Sequence, residues 1–88
     1  MSGYEVEGEV HTDKGRIDVV IKGKGRVVVV EIKYAKGKEA EVESKIEEAM
    51  RQIRETKYYE KSKSKEVSLL AIVFGDNKEI RCKFERVN

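Results

Sequence analysis

The chain has no proline, no tryptophan and a single cysteine, Cys82, among its 88 residues. One cysteine excludes an intramolecular disulfide and a cysteine-rich zinc site, and its scarcity suits a reducing compartment. No apolar run approaches the ~20 residues of a membrane span, and no leader with a basic start and an apolar middle opens the chain. A cytoplasmic location is therefore the expectation. An excess of charge of one sign is also lacking. Lys and Arg number 19 and Asp and Glu 17, a net charge of +2, so a basic surface must come from segregation of charge. Lys57, Lys61, Lys63 and Lys65 are the clearest basic cluster, and a solvated helix end explains them as well as a phosphate track does.

What is present is a core's worth of apolar residues inside a heavily charged shell. Hydrophobic residues make up 39%, too many for a disordered tail. Charged residues reach 41%, dominated by Glu and Lys, the composition of hyperthermophile proteins and also of designed ones. At this length a single domain spanning residues 1–88 is expected, with a modest core.

Six segments can be read along the chain. Residues 4–10 alternate weakly and predict a first strand. Thr12-Asp13-Lys14-Gly15 is a turn, with Gly15 free to take positive φ. His11, beside it, reads as a loop residue rather than a ligand. Residues 16–22 predict a second strand, and Lys22-Gly23-Lys24-Gly25 a turn of hairpin length. Residues 26–34 predict a third strand, apolar on both faces from Val27 to Val30, the pattern of a central strand. From Lys38 to Tyr59 the period changes. Val42, Ile46, Ala49, Met50 and Ile53 form one helical stripe, and Glu39, Glu41 and Glu43 lie near its positive N-terminal end. Val67 to Phe74 predict a fourth strand. Ile80, Cys82 and Phe84 alternate with charges, as in a half-exposed edge strand.

The order β-β-β-α-β-β implies an α/β fold: a mixed sheet with one main helix on one face. The other face has no predicted cover, so Val28, Val30 and alternate residues of the fourth strand are expected to be exposed. Self-association is one way to hide them.

Two acids interrupt these apolar strands: Asp18 in Gly15-Arg16-Ile17-Asp18-Val19-Val20-Ile21, and Glu31 at the end of Val27-Val28-Val29-Val30-Glu31-Ile32-Lys33. Acidic residues are poor strand formers. Glu31 and Lys33, two apart, project to one side, and Asp18 is on the neighbouring strand if the two pair as a hairpin. Two carboxylates and an ammonium converging there suit Mg²⁺ or Mn²⁺ and metal-assisted phosphodiester hydrolysis. The plain alternative is a same-face surface ion pair, worth roughly 0–1 kcal/mol.

These segments resemble the PD-(D/E)XK nuclease superfamily. The similarity is greatest to the nuclease-like domain at the C-terminus of prokaryotic AAA-type ATPase proteins. The resemblance rests on Gly15-Arg16-Ile17-Asp18, on Glu31-Ile32-Lys33, on Gln52-Ile53 followed by Tyr58, and on Ala71-Ile72-Val73-Phe74 before a last strand. It implies a restriction-endonuclease-like core and a metal-dependent nuclease acting on DNA, with Mg²⁺ or Mn²⁺ as cofactor. It implies Asp18, Glu31 and the backbone carbonyl of Ile32 as metal ligands and Lys33 as catalytic lysine. Gln52 and Tyr58 join the site from the helix, although Gln52 could equally be solvated and Tyr58 a packing aromatic. Arg16 and Lys57 are candidate nucleic-acid contacts. The pattern departs from the family in lacking the usual N-terminal helix, whose glutamate faces the metal; Glu9 is the candidate substitute. Without that helix, either a second copy covers the sheet in a homodimer or the chain is a fragment. Two other readings stay open: a nuclease-fold module that dimerises or binds a partner without cutting, and a designed minimal fold.

Overall fold

In the computed structural model, residues 4–12, 15–37, 39–56, 66–76 and 79–87 are described. Strands β1 (Glu5–Thr12), β2 (Gly15–Gly23) and β3 (Arg26–Ala35) come first, then helix α1 (Glu39–Thr56), then β4 (Glu66–Gly75) and β5 (Ile80–Arg86). The strands form one sheet in the order β1-β2-β3-β4-β5. Only β3 and β4 run parallel; the other neighbours are antiparallel. A parallel neighbour cannot be reached by a tight turn, and α1 supplies the crossover. This is the α/β, restriction-endonuclease-like arrangement expected from the sequence, with no helix before β1 among the described residues. Nor is any described helix long and apolar enough to cross a membrane.

Local chemistry explains the turns. Gly23 and Arg26 pair across the β2–β3 hairpin, so Lys24 and Gly25 make the connection. Gly25 takes φ +73°, a left-handed conformation that costs glycine little. Gly15 opens β2 at φ +147°, as its place in the turn suggested. His11 is no loop residue: β1 runs on to Thr12, and His11 pairs with Arg16.

The predicted helical stripe is the buried one. Val42, Ile46, Ala49, Met50 and Ile53 are all buried, joined by Thr56. They pack on the inward residues of the sheet, including Val27 and Val29 of β3 and Val67, Leu69, Ala71 and Val73 of β4. Each large aliphatic side chain buried in this way contributes about 1.5–3 kcal/mol. The helix is also tied to β5 by ion pairs. Glu39 and Glu43 meet Arg81, Glu47 meets Lys83, and Arg54 meets Glu85.

Two features depart from the simple pattern. Val30 lies on the sheet face away from α1, yet it is only 3% exposed. Its cross-strand neighbours Val19 and Leu70 close over it from both sides, so a central position buries it without a covering layer. The second departure is in β2. Ile17 and Val20 both enter the core under α1, although residues three apart on a regular strand face opposite ways. The alternation slips at Asp18 and Val19. Across the strand pair, Glu9 adopts φ +48°, a conformation uncommon for a residue other than glycine.

Candidate active site at the parting of β2 and β3

The pairing of β2 with β3 runs from Gly23 and Arg26 to Val19 and Val30, and stops there. Both strands continue, β2 towards Gly15 and β3 to Ala35. Strand β3 stays paired with β4 along its whole length, so β2 is the strand that leaves. At the parting, Asp18 Oδ2 accepts the backbone N–H of Ile32 at 2.9 Å. A side-chain carboxylate thus satisfies an amide on the edge that β2 no longer covers. The slip in β2 and the end of the ladder coincide, and together they aim Asp18 at the Glu31-Ile32-Lys33 segment.

Glu31 and Lys33 project to the α1 side of the sheet, as their spacing predicted. The Glu31 side chain is only 10% exposed and its Oε2 lies 3.6 Å from Lys33 Nζ. Burial holds the Glu31 carboxyl above the usual carboxylate range. The nearby Asp18 charge pushes in the same direction, and Lys33 opposes both. Two acids therefore share this corner against a single ammonium. On the other side of Asp18, the Arg16 guanidinium stands 3.7 Å from Asp18 Oδ1 and 3.7 Å from Glu9 Oε1.

The parting opens a cleft of about 350 Å³ between the sheet and the end of α1. Gly15 and Arg16 line it from β2, Glu31 and Lys33 from β3, and Gln52, Glu55 and Thr56 from α1. Gln52, placed by sequence at the border of the buried stripe, does reach the cleft. Glu55 and Thr56 had not been singled out, yet helical spacing marks them: they follow Gln52 by three and four residues and share its face. Thr56 is fixed by its hydroxyl, which donates to the carbonyl of Ile53 at 2.6 Å. Glu9 is not drawn in with Asp18 and Glu31. It meets Asp18 only through the shared Arg16 guanidinium, and no group of three His, Cys, Asp or Glu side chains suited to a metal exists among the described residues. Lys57 and Tyr58 lie outside the described residues.

Compared with known protein families, residues 1–84 match the PD-(D/E)XK nuclease superfamily. The chain belongs to that superfamily. No curated protein matches it. The PD-(D/E)XK match covers both strands that carry Asp18 and Glu31-Ile32-Lys33, the whole of α1, and β4. It establishes a nuclease-type fold for this chain and brings no link to an ATPase. PD-(D/E)XK nucleases generally use divalent metal ions, and the donors gathered here can be tested for that use. Two carboxylates of hard oxygen, one of them buried and disfavoured as an anion by its neighbour, fit a cation that would relieve their repulsion.

Proposed function

We propose that the chain is a metal-dependent nuclease that hydrolyses DNA phosphodiesters in the cleft between β2, β3 and α1. The observation that carries this reading is the meeting of Asp18 with the Glu31-Ile32-Lys33 segment, where β2 parts from β3. Asp18, Glu31 and the backbone carbonyl of Ile32 would hold Mg²⁺ or Mn²⁺. With so few protein ligands, the site would leave positions open for water and for phosphate oxygens. When bound, it supplies an acidified water and a counter-charge for the phosphate.

The remaining work falls to the chain's own side chains. The Lys33 ammonium, held on the α1 side by Glu31, is placed to donate to a phosphate oxygen or to orient the attacking water. Gln52 can donate its amide hydrogens to the same water or phosphate from α1. Arg16, more than half exposed at the cleft's edge, is positioned to exchange its loose contacts with Glu9 and Asp18 for a backbone phosphate. Glu55 is anionic on that side, which restricts where a polyanion can lie.

The test is cleavage of single- and double-stranded DNA with Mg²⁺ or Mn²⁺, alongside calorimetric titration of the protein with Mn²⁺. Metal-dependent cleavage that Lys33→Ala abolishes, with folding and Mn²⁺ binding intact, supports the proposal. Absence of cleavage with either ion on every DNA form rejects it. Mn²⁺ binding without cleavage would favour a non-cutting module, a reading to which the lack of a third clustered acid among the described residues lends weight.

A further inference from the structure

The face of the sheet turned away from α1 is a broad apolar surface. In β3, β4 and β5, the outward positions from Val28 to Tyr34, from Ser68 to Phe74 and from Ile80 to Phe84 bear no charged side chain. In a chain that is 41% charged, so long a neutral stretch is a property of this face and not of the composition. Charges return at the two ends, where Glu66 pairs with Arg26 and Arg86 and where the Asp76 carboxylate accepts the Tyr34 hydroxyl. Val6, Ile32, Tyr34, Phe74, Ile80 and Phe84 stand between 40% and 66% exposed. Register places them together: Phe74 pairs with both Tyr34 and Ile80, and Phe84 pairs with Leu70 beside Val30.

We infer that this face is the interface of a homodimer, in which two copies pack sheet against sheet with both α1 helices outside. The six side chains alone present roughly 600 Å², and the half-buried residues between them bring the face near the ~800 Å² per partner of a stable interface. Isolated chains rarely leave so large an apolar patch in water. Charge selects the occupant. A face without cations offers nothing to a phosphate backbone, and one without charge has no ion pair to make with an acidic or basic peptide. It is complementary to another neutral face of the same extent, and a two-fold axis supplies one. Sheets stacked in this way lie about 10 Å apart with interdigitated side chains. Since the cleft lined by Glu31, Lys33 and Gln52 opens on the α1 side, the two clefts of the dimer face outward and away from each other. The inference is independent of whether the cleft cuts DNA.

Sedimentation equilibrium of the full chain tests it, together with Phe84→Lys on the outward side of β5 and Arg51→Glu on the exposed side of α1 as a control. The expected result is a dimer for the parent and for Arg51→Glu. Phe84→Lys should dissociate at least tenfold more readily, with its circular dichroism spectrum unchanged. A monomeric parent at micromolar concentration, or a folded Phe84→Lys that dimerises as well as the parent, overturns the inference. A second measurement avoids substitution. Cys82 is exposed on this face, beside Ile72. Its alkylation should slow at least tenfold from dilute to concentrated protein, and a rate independent of concentration overturns the inference.

Discussion

Asp18 and Ile32 are joined across the parting of β2 and β3, carboxylate to backbone amide, at 2.9 Å. One residue thereby does two things: it finishes a broken ladder of hydrogen bonds, and it holds a negative charge beside Glu31. The two roles separate by substitution. Asp18→Asn keeps an oxygen for the Ile32 N–H and should leave stability within about 1 kcal/mol of the parent, while Mn²⁺ binding is lost. Asp18→Ala removes the acceptor as well and should cost about 1–2 kcal/mol in urea unfolding. Equal loss of stability in both variants would show that the hydrogen bond contributes nothing.

Glu31 is held in a position that disfavours its charge, through burial and the proximity of Asp18. Glu31→Gln removes that cost and nearly preserves shape. Its thermal midpoint in metal-free neutral buffer should lie above that of the parent, and added Mn²⁺ should raise the parent's midpoint alone. A lower midpoint for Glu31→Gln would mean that the pairing with Lys33 outweighs the burial.

Lys33→Ala removes the ammonium 3.6 Å from Glu31. Cleavage should fall roughly 10²- to 10⁴-fold, the usual contribution of a positioned proton donor or acceptor. Mn²⁺ binding, followed by calorimetry, should persist. If binding disappears with cleavage, Lys33 acts through the metal site and not on water or phosphate.

A fourth prediction concerns pH. Tyr34 donates its hydroxyl to Asp76 Oδ1 at 2.5 Å, and Asp76 Oδ2 accepts the amide of Gly37. Together they clasp the start of the crossover to the end of β4. The Tyr34 hydroxyl is held above its usual value chiefly by its hydrogen bond to Asp76. The same bond holds the Asp76 carboxyl below its usual value. For Tyr34, the stabilisation is fully present below the unfolded value near 10 and is lost as pH rises through the raised folded value. For Asp76, it is present above the unfolded value near 3.8 and is lost as pH falls through the depressed folded value. Ultraviolet difference titration should find one of the four tyrosines ionising late, and Asp76→Asn should return it towards the others.

Much of this architecture can be read from residue patterns. The helical stripe from Val42 to Ile53 is the buried face of α1, because a 3.6-residue period admits one inward side. The β2–β3 hairpin and the parallel crossover to β4 follow from turn residues and element order, and Glu31 and Lys33 share a face by strand geometry. What the pattern misses is tertiary. Regular alternation has no way to bring both Ile17 and Val20 into the core, nor to give Glu9 a left-handed backbone. Val30 is apolar on an open face, and only its neighbours on flanking strands explain its burial. Helical spacing puts Glu55 and Thr56 on the face of Gln52, but that this face looks into a cleft depends on the parting of β2 from β3.

Ile32 lies in the middle of the Glu31-Ile32-Lys33 segment, its amide bound to Asp18 and its side chain 41% exposed on the opposite surface. At this point a single peptide unit is the entire wall between the acidic corner and the apolar plane. A group packed on the Ile32 side chain is therefore one residue away from both Glu31 and Lys33. The acidic corner and the apolar plane are thus two faces of the same three residues.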